Sequence, residues 1–482
     1  MSSRPLLQLS RSSASSLAAA GALLLALSGC LSMAPPYQRP APPVAAAWPT
    51  DAPPAVGEVV DRSLDWRSVF VNADLQRLIE QALANSRDLR GAVLRVEEAR
   101  ALAGIQRADL FPTVAGVAAE SRARTPAPLS PTGSSVVTSA YQVGVGVTSW
   151  ELDFWGRIRS LNTAATERYL ASDAARRAFA VSLVGQVANS WLTQRELDRR
   201  LELARRTVAS REETLRIFRR RVEVGATARF DLTQVEALVT QAQALVTQLE
   251  QARAANGHAL SLLVGAPSEL RPQPEVLERN PEPVRAVAAG LPSGLIEMRP
   301  DIIAAEHQLR AANANIGAAR AAFFPQVTLT GNYGTASAEL DDLFSSGTHA
   351  WNFAPTIVLP IFSGGRLRSN LDLSEVRRDQ SVASYELTVQ AAFRDVADAL
   401  SASHWFTEQV SIQRNALTAV RERARLAQLR YDTGTSAHLE VLEAQRDLLN
   451  TEQALVQAEG AVQSSRVAVF TAMGGGALGT RD

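Results

Sequence analysis

The chain has 482 residues, of which 46% are hydrophobic and 20% charged, with Lys+Arg and Asp+Glu equal at 49 each. That length can bury a large core or several, and the balanced charge provides no global field toward nucleic acid or an anionic surface, which argues against nucleic-acid binding. A single cysteine excludes an intrachain disulfide framework.

Met1–Arg11 holds Arg4 and Arg11 and no acid; an apolar run, Leu17–Leu27, follows, and then Leu27-Ser28-Gly29-Cys30. This is the order of a secretory leader, residues 1–29, and the run is too short to cross a bilayer as a helix. The Leu-x-Gly-Cys ending resembles a bacterial lipobox. The resemblance implies cleavage before Cys30 and a covalent lipid there, S-diacylglycerol with N-palmitoyl; Leu31 and Ser32, in place of aspartate, imply the outer membrane. The alternative is a secreted protein with a free thiol. Residues 30–62 are rich in proline, including Pro35, Pro36, Pro40, Pro42 and Pro43, and read as an extended tether.

Two repeats follow, residues 63–285 and 286–473. The first opens with a short helix over Ala73–Ala84 and a longer one over Asp88–Leu110, which Phe111-Pro112 ends because proline disfavours helical geometry in the residue before it. Strands are expected over 113–122 and 140–152. In the second of these, Tyr141, Val143, Val145 and Val147 alternate with Gln142, Gly144, Gly146 and Thr148. A helical hairpin spans 156–263 and turns at Val222–Thr227.

The second repeat reuses this grammar. Arg299-Pro300-Asp301 opens a helix that Phe324-Pro325 ends, and Pro325 lies 213 residues after Pro112. Strands are expected over 326–335 and 351–359, and a second hairpin over 365–473 turns at Tyr431–Ser436, 209 residues after the first turn. Val441, Leu448, Leu455, Val462 and Val469 recur every seven residues, a period that implies supercoiling against neighbours. Gly225 and Gly434 mark the hairpin tips. Arg219-Arg220-Arg221 before the first tip is either a partner-docking patch or a set of cations complementing the helix dipole, the second being favoured.

Nothing in the chain supports an enzyme. The five histidines are scattered, and acid pairs such as Glu97-Glu98, Glu212-Glu213 and Asp341-Asp342 read as solvated charge. Gly474–Gly479 fits GxGxxG by letter but follows a helix at the chain's end, so residues 474–482 read as a flexible tail.

No mature stretch reaches the ~18 apolar residues of a membrane helix, so any crossing must use strands. Aromatic residues cluster at the strand ends, including Tyr141, Trp150, Trp155, Phe324, Trp351 and Phe362, as an interfacial girdle requires. A soluble sheet packed on helices is the alternative. Four membrane strands cannot close alone; a dimer's eight nearly fill their interior, whereas a trimer's twelve leave a channel.

The lipobox, the proline-rich tether, Phe111-Pro112, Trp150-Glu151-Leu152-Asp153-Phe154-Trp155-Gly156-Arg157, Arg299-Pro300-Asp301, Phe324-Pro325, Leu359-Pro360-Ile361-Phe362-Ser363-Gly364-Gly365-Arg366 and Leu442-Glu443-Ala444-Gln445 together resemble the TolC-type outer-membrane efflux channels, in their OprM/NodT-like lipoprotein branch. The resemblance covers Asp65 to Met473. It implies a membrane α/β-barrel: a homotrimer whose four strands per chain form a shared 12-stranded barrel, continued by a coiled-coil α-helical periplasmic barrel. It further implies a periplasmic adaptor (membrane fusion) protein and a proton-driven inner-membrane transporter of RND type as partners, contact with outer-membrane lipids, and export of drugs or small toxic compounds. It also implies adaptor docking at Val224, Gly225, Ala226, Thr433, Gly434 and Thr435. Arg430, Asp432 and Leu439 are the gate candidates, since Ser436 stands where some relatives carry an acid. A channel for type I protein secretion or metal-ion efflux, or a lipid-tethered coiled-coil scaffold without a pore, is the competing reading.

Overall fold

The computed structural model describes residues 32–45, 47–48, 58–59, 64–267, 282–289 and 294–476. Cys30, the leader and most of the tether lie outside the described residues. In chain order the elements are β1 (Glu58–Val59), α1 (Trp66–Val69), α2 (Ala73–Asn85), α3 (Arg87–Ala108), β2 (Val114–Thr125), β3 (Val136–Leu152), α4 (Arg157–Glu223), α5 (Arg229–Val264), β4 (Val287–Ala288), α6 (Leu295–Met298), α7 (Pro300–Ala321), β5 (Gln326–Ser337), β6 (His349–Val358), α8 (Arg366–Asp432) and α9 (His438–Ala472). No described helix is long and apolar enough to cross a membrane.

One compact unit takes the described residues up to Pro40, Glu97–Ala171 and Ala305–Ser384. Its sheet is antiparallel throughout, in the order β2-β3-β5-β6. The first hairpin is longer than the apolar alternation indicates, since Thr125 still pairs with Val136. The ladder is made by backbone groups, so polar residues extend it as well as apolar ones. At the centre Gly144 faces Gly334. A Cβ at Gly144 would lie 2.5 Å from the Tyr333 carbonyl oxygen, so here the strands approach more closely than any side chain permits.

The same unit docks the start of the tether. Asn313 Nδ2 donates to the Pro35 carbonyl at 2.8 Å. Arg39 grips the Glu306 carboxylate from Nε (3.1 Å) and Nη2 (2.8 Å), while Tyr37 Oη (3.1 Å) and Arg310 Nη2 (2.7 Å) donate to its Oε1. Burial alone would raise the Glu306 carboxyl, but hydrogen bonds from Arg39 and Arg310 hold it below its usual value. Burial, and then the Glu306 charge, push the Tyr37 phenol up to about 12.

The other unit takes the described residues of Ala41–Val96, Ser172–Ala304 and Tyr385 onward. Its helices pack in the order α5, α4, α9, α8. Leu197, Leu201 and Ala204 of α4 meet Leu249 of α5; Leu215 and Phe218 of α4 meet Leu442 of α9; Val410 of α8 meets Ala458 and Val462 of α9. The heptad read from the sequence faces α8. A second heptad, displaced by one residue, is also buried, at Leu442, Leu449, Val456, Gln463 and Phe470. A helix between two neighbours needs two seams, and offset heptads provide them.

Between α4 and α5 polar groups interrupt the apolar seam. Asp198, buried, accepts from Arg195 at 3.2 Å and from Arg253 at 2.6 Å, and Asn256 bridges Ser190 and Gln194. The start of the predicted tail packs beside α6: Met473, just before it, is fully buried, and an ideal Cβ on Gly474, which adopts φ 95, would lie 3.1 Å from the Met298 carbonyl oxygen. The positive φ lets the chain leave α9 close beside α6, so Gly474 is packed rather than free; residues 477–482 lie outside the described residues.

Candidate functional site

The register aligns side chains in rows across the sheet. Val114, Val147, Gly331 and Phe353 form one row, and Gly116, Val145, Tyr333 and Trp351 the next. With Leu329, Val327 and Ile357 they make one face apolar and aromatic. The other carries small neutral groups: Ser121, Gln142, Thr330, Asn332, Asn352 and Thr356 are among them. Glu120, Arg122 and Arg124 join the apolar face only in its last rows, near the loops.

Strict alternation would place Trp150 and Leu152 on the polar face. Between Val147, opposite Gly331, and Trp150, opposite Leu329, the ladder takes up one extra residue, and Ser149 adopts φ 53. This bulge returns both side chains to the apolar face. Ser149 N–H donates to Thr330 Oγ1 at 3.2 Å, giving the displaced backbone a partner.

Among the described residues of this unit, no helix covers the apolar face. Tyr333 is 62% exposed, Trp351 74%, Phe353 63% and Ile357 69%. A patch of this kind is an interaction or membrane surface, and the soluble sheet packed on helices does not describe it.

In the lower rows of the sheet, Glu151 stands opposite Thr328 on the polar face. Arg157 binds its carboxylate in bidentate fashion, Nε at 2.9 Å and Nη2 at 2.6 Å, and Gln326 Nε2 donates to it at 2.5 Å. Asp153 caps α4, accepting from the backbone of Ile158 (3.2 Å) and Arg159 (2.8 Å). Trp155 stacks on Phe324, ring centres 4.8 Å apart, and its Nε1 donates to the Pro325 carbonyl at 2.8 Å. The proline and glycine signals of the two copies thus meet at one junction.

The hairpin tips share one geometry. Gly225 and Gly434 adopt φ 72 and 74; Ala226 N–H closes on the Arg221 carbonyl at 2.7 Å and Thr435 N–H on the Arg430 carbonyl at 2.8 Å. Val224 and Leu439 are exposed, and Thr433 Oγ1 donates back to the Leu429 carbonyl at 3.0 Å. Among the gate candidates, Arg430 pairs with Glu440 at 2.9 Å across its own tip, and Asp432 accepts from Gln428 at 2.9 Å.

The contact between the two tips is made by residues the pattern did not single out as a group. Arg221 Nη1 donates to Tyr431 Oη. His438 lies between Phe218 and Tyr431, with ring centres 4.4 and 4.7 Å away. Its Nδ1 is buried and receives no hydrogen bond. Burial first, then the Arg221 charge, lower the His438 pKa against a smaller opposing pull from Asp231. The arginine run is not a free patch: Arg219 pairs with Glu236 and Arg220 with Glu223. The legible signal was an asymmetry, since Tyr431 stands where the first repeat has Val222.

The sequence pattern of the outer membrane efflux protein family matches residues 78–266 and 291–475, once per repeat. Outer membrane protein OprJ of Pseudomonas aeruginosa is 44% identical over 456 residues, which cover 94% of this chain and 95% of that one. The solvent efflux pump outer membrane protein SrpC of Pseudomonas putida is 44% identical over 465 residues, covering 94% and 97%. Among solved structures, the open state of the Neisseria gonorrhoeae MtrE outer membrane channel superposes with a TM-score of 0.82 at 37% identity, over 92% of this chain and 98% of that one.

Proposed function

The chain belongs to the outer membrane efflux protein family, and as the outer-membrane channel component of an efflux pump we propose that it works as a trimer conducting small organic compounds passively to the exterior. The observation that carries this reading is the open sheet. Strands β2 and β6 each have one unpaired edge, and in a bilayer every backbone group must be paired. Three copies joined β2 to β6 close a 12-stranded barrel with a lumen, the apolar face outward to lipid and the neutral face inward.

The helices support the same symmetry. In the order α5, α4, α9, α8 the inner pair has neighbours on both sides, while α5 and α8 have one each. Large residues on α8, including Trp405, Ile412 and Leu426, are exposed. A neighbouring copy's α5, whose outward positions include Ala237 and Ala244, offers small residues into which they can pack.

In this reading the driving energy comes from a proton-driven inner-membrane transporter of RND type, joined through a periplasmic adaptor that docks at the tips around Gly225 and Gly434. Opening the tips requires a partner with higher affinity for the open state. The pump name of SrpC supports solvents as cargo. A lipid on Cys30 adds a second anchor; the docked segment around Tyr37 and Arg39 supports a tether held against the folded body.

The test is mass measurement of the purified protein in detergent together with conductance in planar bilayers, using wild type and a tip-loosened Tyr431→Ala variant. A trimer whose conductance rises on loosening is expected. A monomer without conductance in either form would refute the pore.

A further inference from the structure

Across the transmembrane sheet, the polar face carries no charged side chain other than Glu151. The other residues of β2, β3, β5 and β6 that point to this side are alanine, glycine, serine, threonine, asparagine, glutamine and three valines, Val117, Val136 and Val358. Charges on the opposite face lie in the last rows near the loops, away from the lumen. Glu151 is itself cancelled by the bidentate Arg157, with Gln326 occupying a further lone pair.

We propose that the β-section of the pore has a charge-neutral, hydrogen-bonding wall, and that the Glu151–Arg157 pair determines its ion preference. This deepens the channel reading and rests on it. Paired, the two charges cancel at each of three symmetry-related positions around the lumen. Loss of either partner leaves a ring of three like charges at one level. The wall then discriminates by size and hydrogen bonding, so neutral, cationic and anionic organic molecules share one path. Such indifference suits a conduit whose cargo is chosen upstream by a transporter. Arg157 and Glu151 are positioned for this because the bulge at Ser149 and the Asp153 cap orient β3 and α4 on either side of the pair.

The experiment compares K⁺/Cl⁻ permeability ratios in planar bilayers under a KCl gradient, in the Tyr431→Ala background. Arg157→Gln unmasks carboxylates and should raise the ratio about threefold or more, as expected for three like charges within roughly a Debye length of the ion path. Glu151→Gln unmasks guanidinium groups and should lower it by a similar factor. The double variant should return to the parental value. A purely structural role would alter conductance or assembly without shifts of opposite sign. Should either single variant fail to assemble, Thr328→Glu adds a carboxylate opposite Glu151 with the pair intact, and should also raise the ratio. Conducting variants whose ratios stay unmoved, or move in the same direction, overturn the inference and leave the pore standing. No conductance even in the parent overturns the pore reading and this inference with it.

Discussion

Val145→Arg tests which face meets lipid. Val145 shares a row with Tyr333 and Trp351. Trp351 lies six residues along β6 from Ile357, in the lowest paired apolar row; a strand tilted by about 40° rises ~2.5 Å per residue, so this row sits ~15 Å above the lower edge of a ~25 Å apolar band. An arginine that close to the midplane costs about 2–4 kcal/mol per chain, and three copies assembling together incur ~6–12 kcal/mol. Asn352, one residue from Trp351, points to the other side, and Asn352→Arg should assemble close to the wild-type level because water reaches it. The assay is the yield of folded, heat-modifiable trimer in isolated outer membranes. Unimpaired assembly of Val145→Arg, or equal loss with Asn352→Arg, would refute the face assignment and the orientation of the wall built on it.

Asp198→Asn leaves the buried Arg195 without its carboxylate and should destabilise the protein by about 3–5 kcal/mol, read as a lowered denaturant midpoint. Glu306→Gln weakens the docking of Tyr37 and Arg39 and should cost about 2 kcal/mol, seen as faster proteolysis near residue 40 with trimer yield retained. His438 has a pKa lowered in the tip contact, so that contact is at full strength above the ordinary imidazole value of about 6.5 and is lost as pH falls through the lower value held at the tip. Conductance should rise on acidification through that window, and His438→Phe should flatten the response.

The boundaries between helix and strand were legible because proline and glycine act locally. Pro112 and Pro325 end helices through their own ring geometry, and Gly225 and Gly434 end them through a positive φ, so neither needs tertiary context. The bulge was not legible. Nothing distinguishes Ser149 within β3 until the partner strand is known, and without that slip Trp150 and Leu152 fall on the wrong face. The second heptad of α9 was hidden for a related reason: Gln463 breaks its apolar pattern, and its burial follows from a hydrogen bond with the Val284 backbone, which lies far away in sequence. The tether's proline content conveyed extension but not docking, which depends on Glu306 and Asn313 of α7.

The duplication is most informative where it fails. Arg221 and Arg430 occupy equivalent positions 209 residues apart, as do Asp231 and Glu440. Arg430 stays within its own hairpin on Glu440, whereas Asp231 takes the Thr227 hydroxyl and Arg221 crosses to Tyr431 of the other hairpin. One repeat therefore closes its tip on itself, and the other reaches across the junction of α4 with α9. In a ring of three chains that junction alternates with the one between α8 and a neighbour's α5, which has no counterpart of the Arg221–Tyr431 bond within a chain. The six hairpins of such a ring are paired by the Arg221–Tyr431 latch inside each chain, which distinguishes that junction from the one between chains. Loosening Arg221–Tyr431 frees each hairpin on its latched side only, so the strength of the α8–α5 seam limits how far the tips can separate.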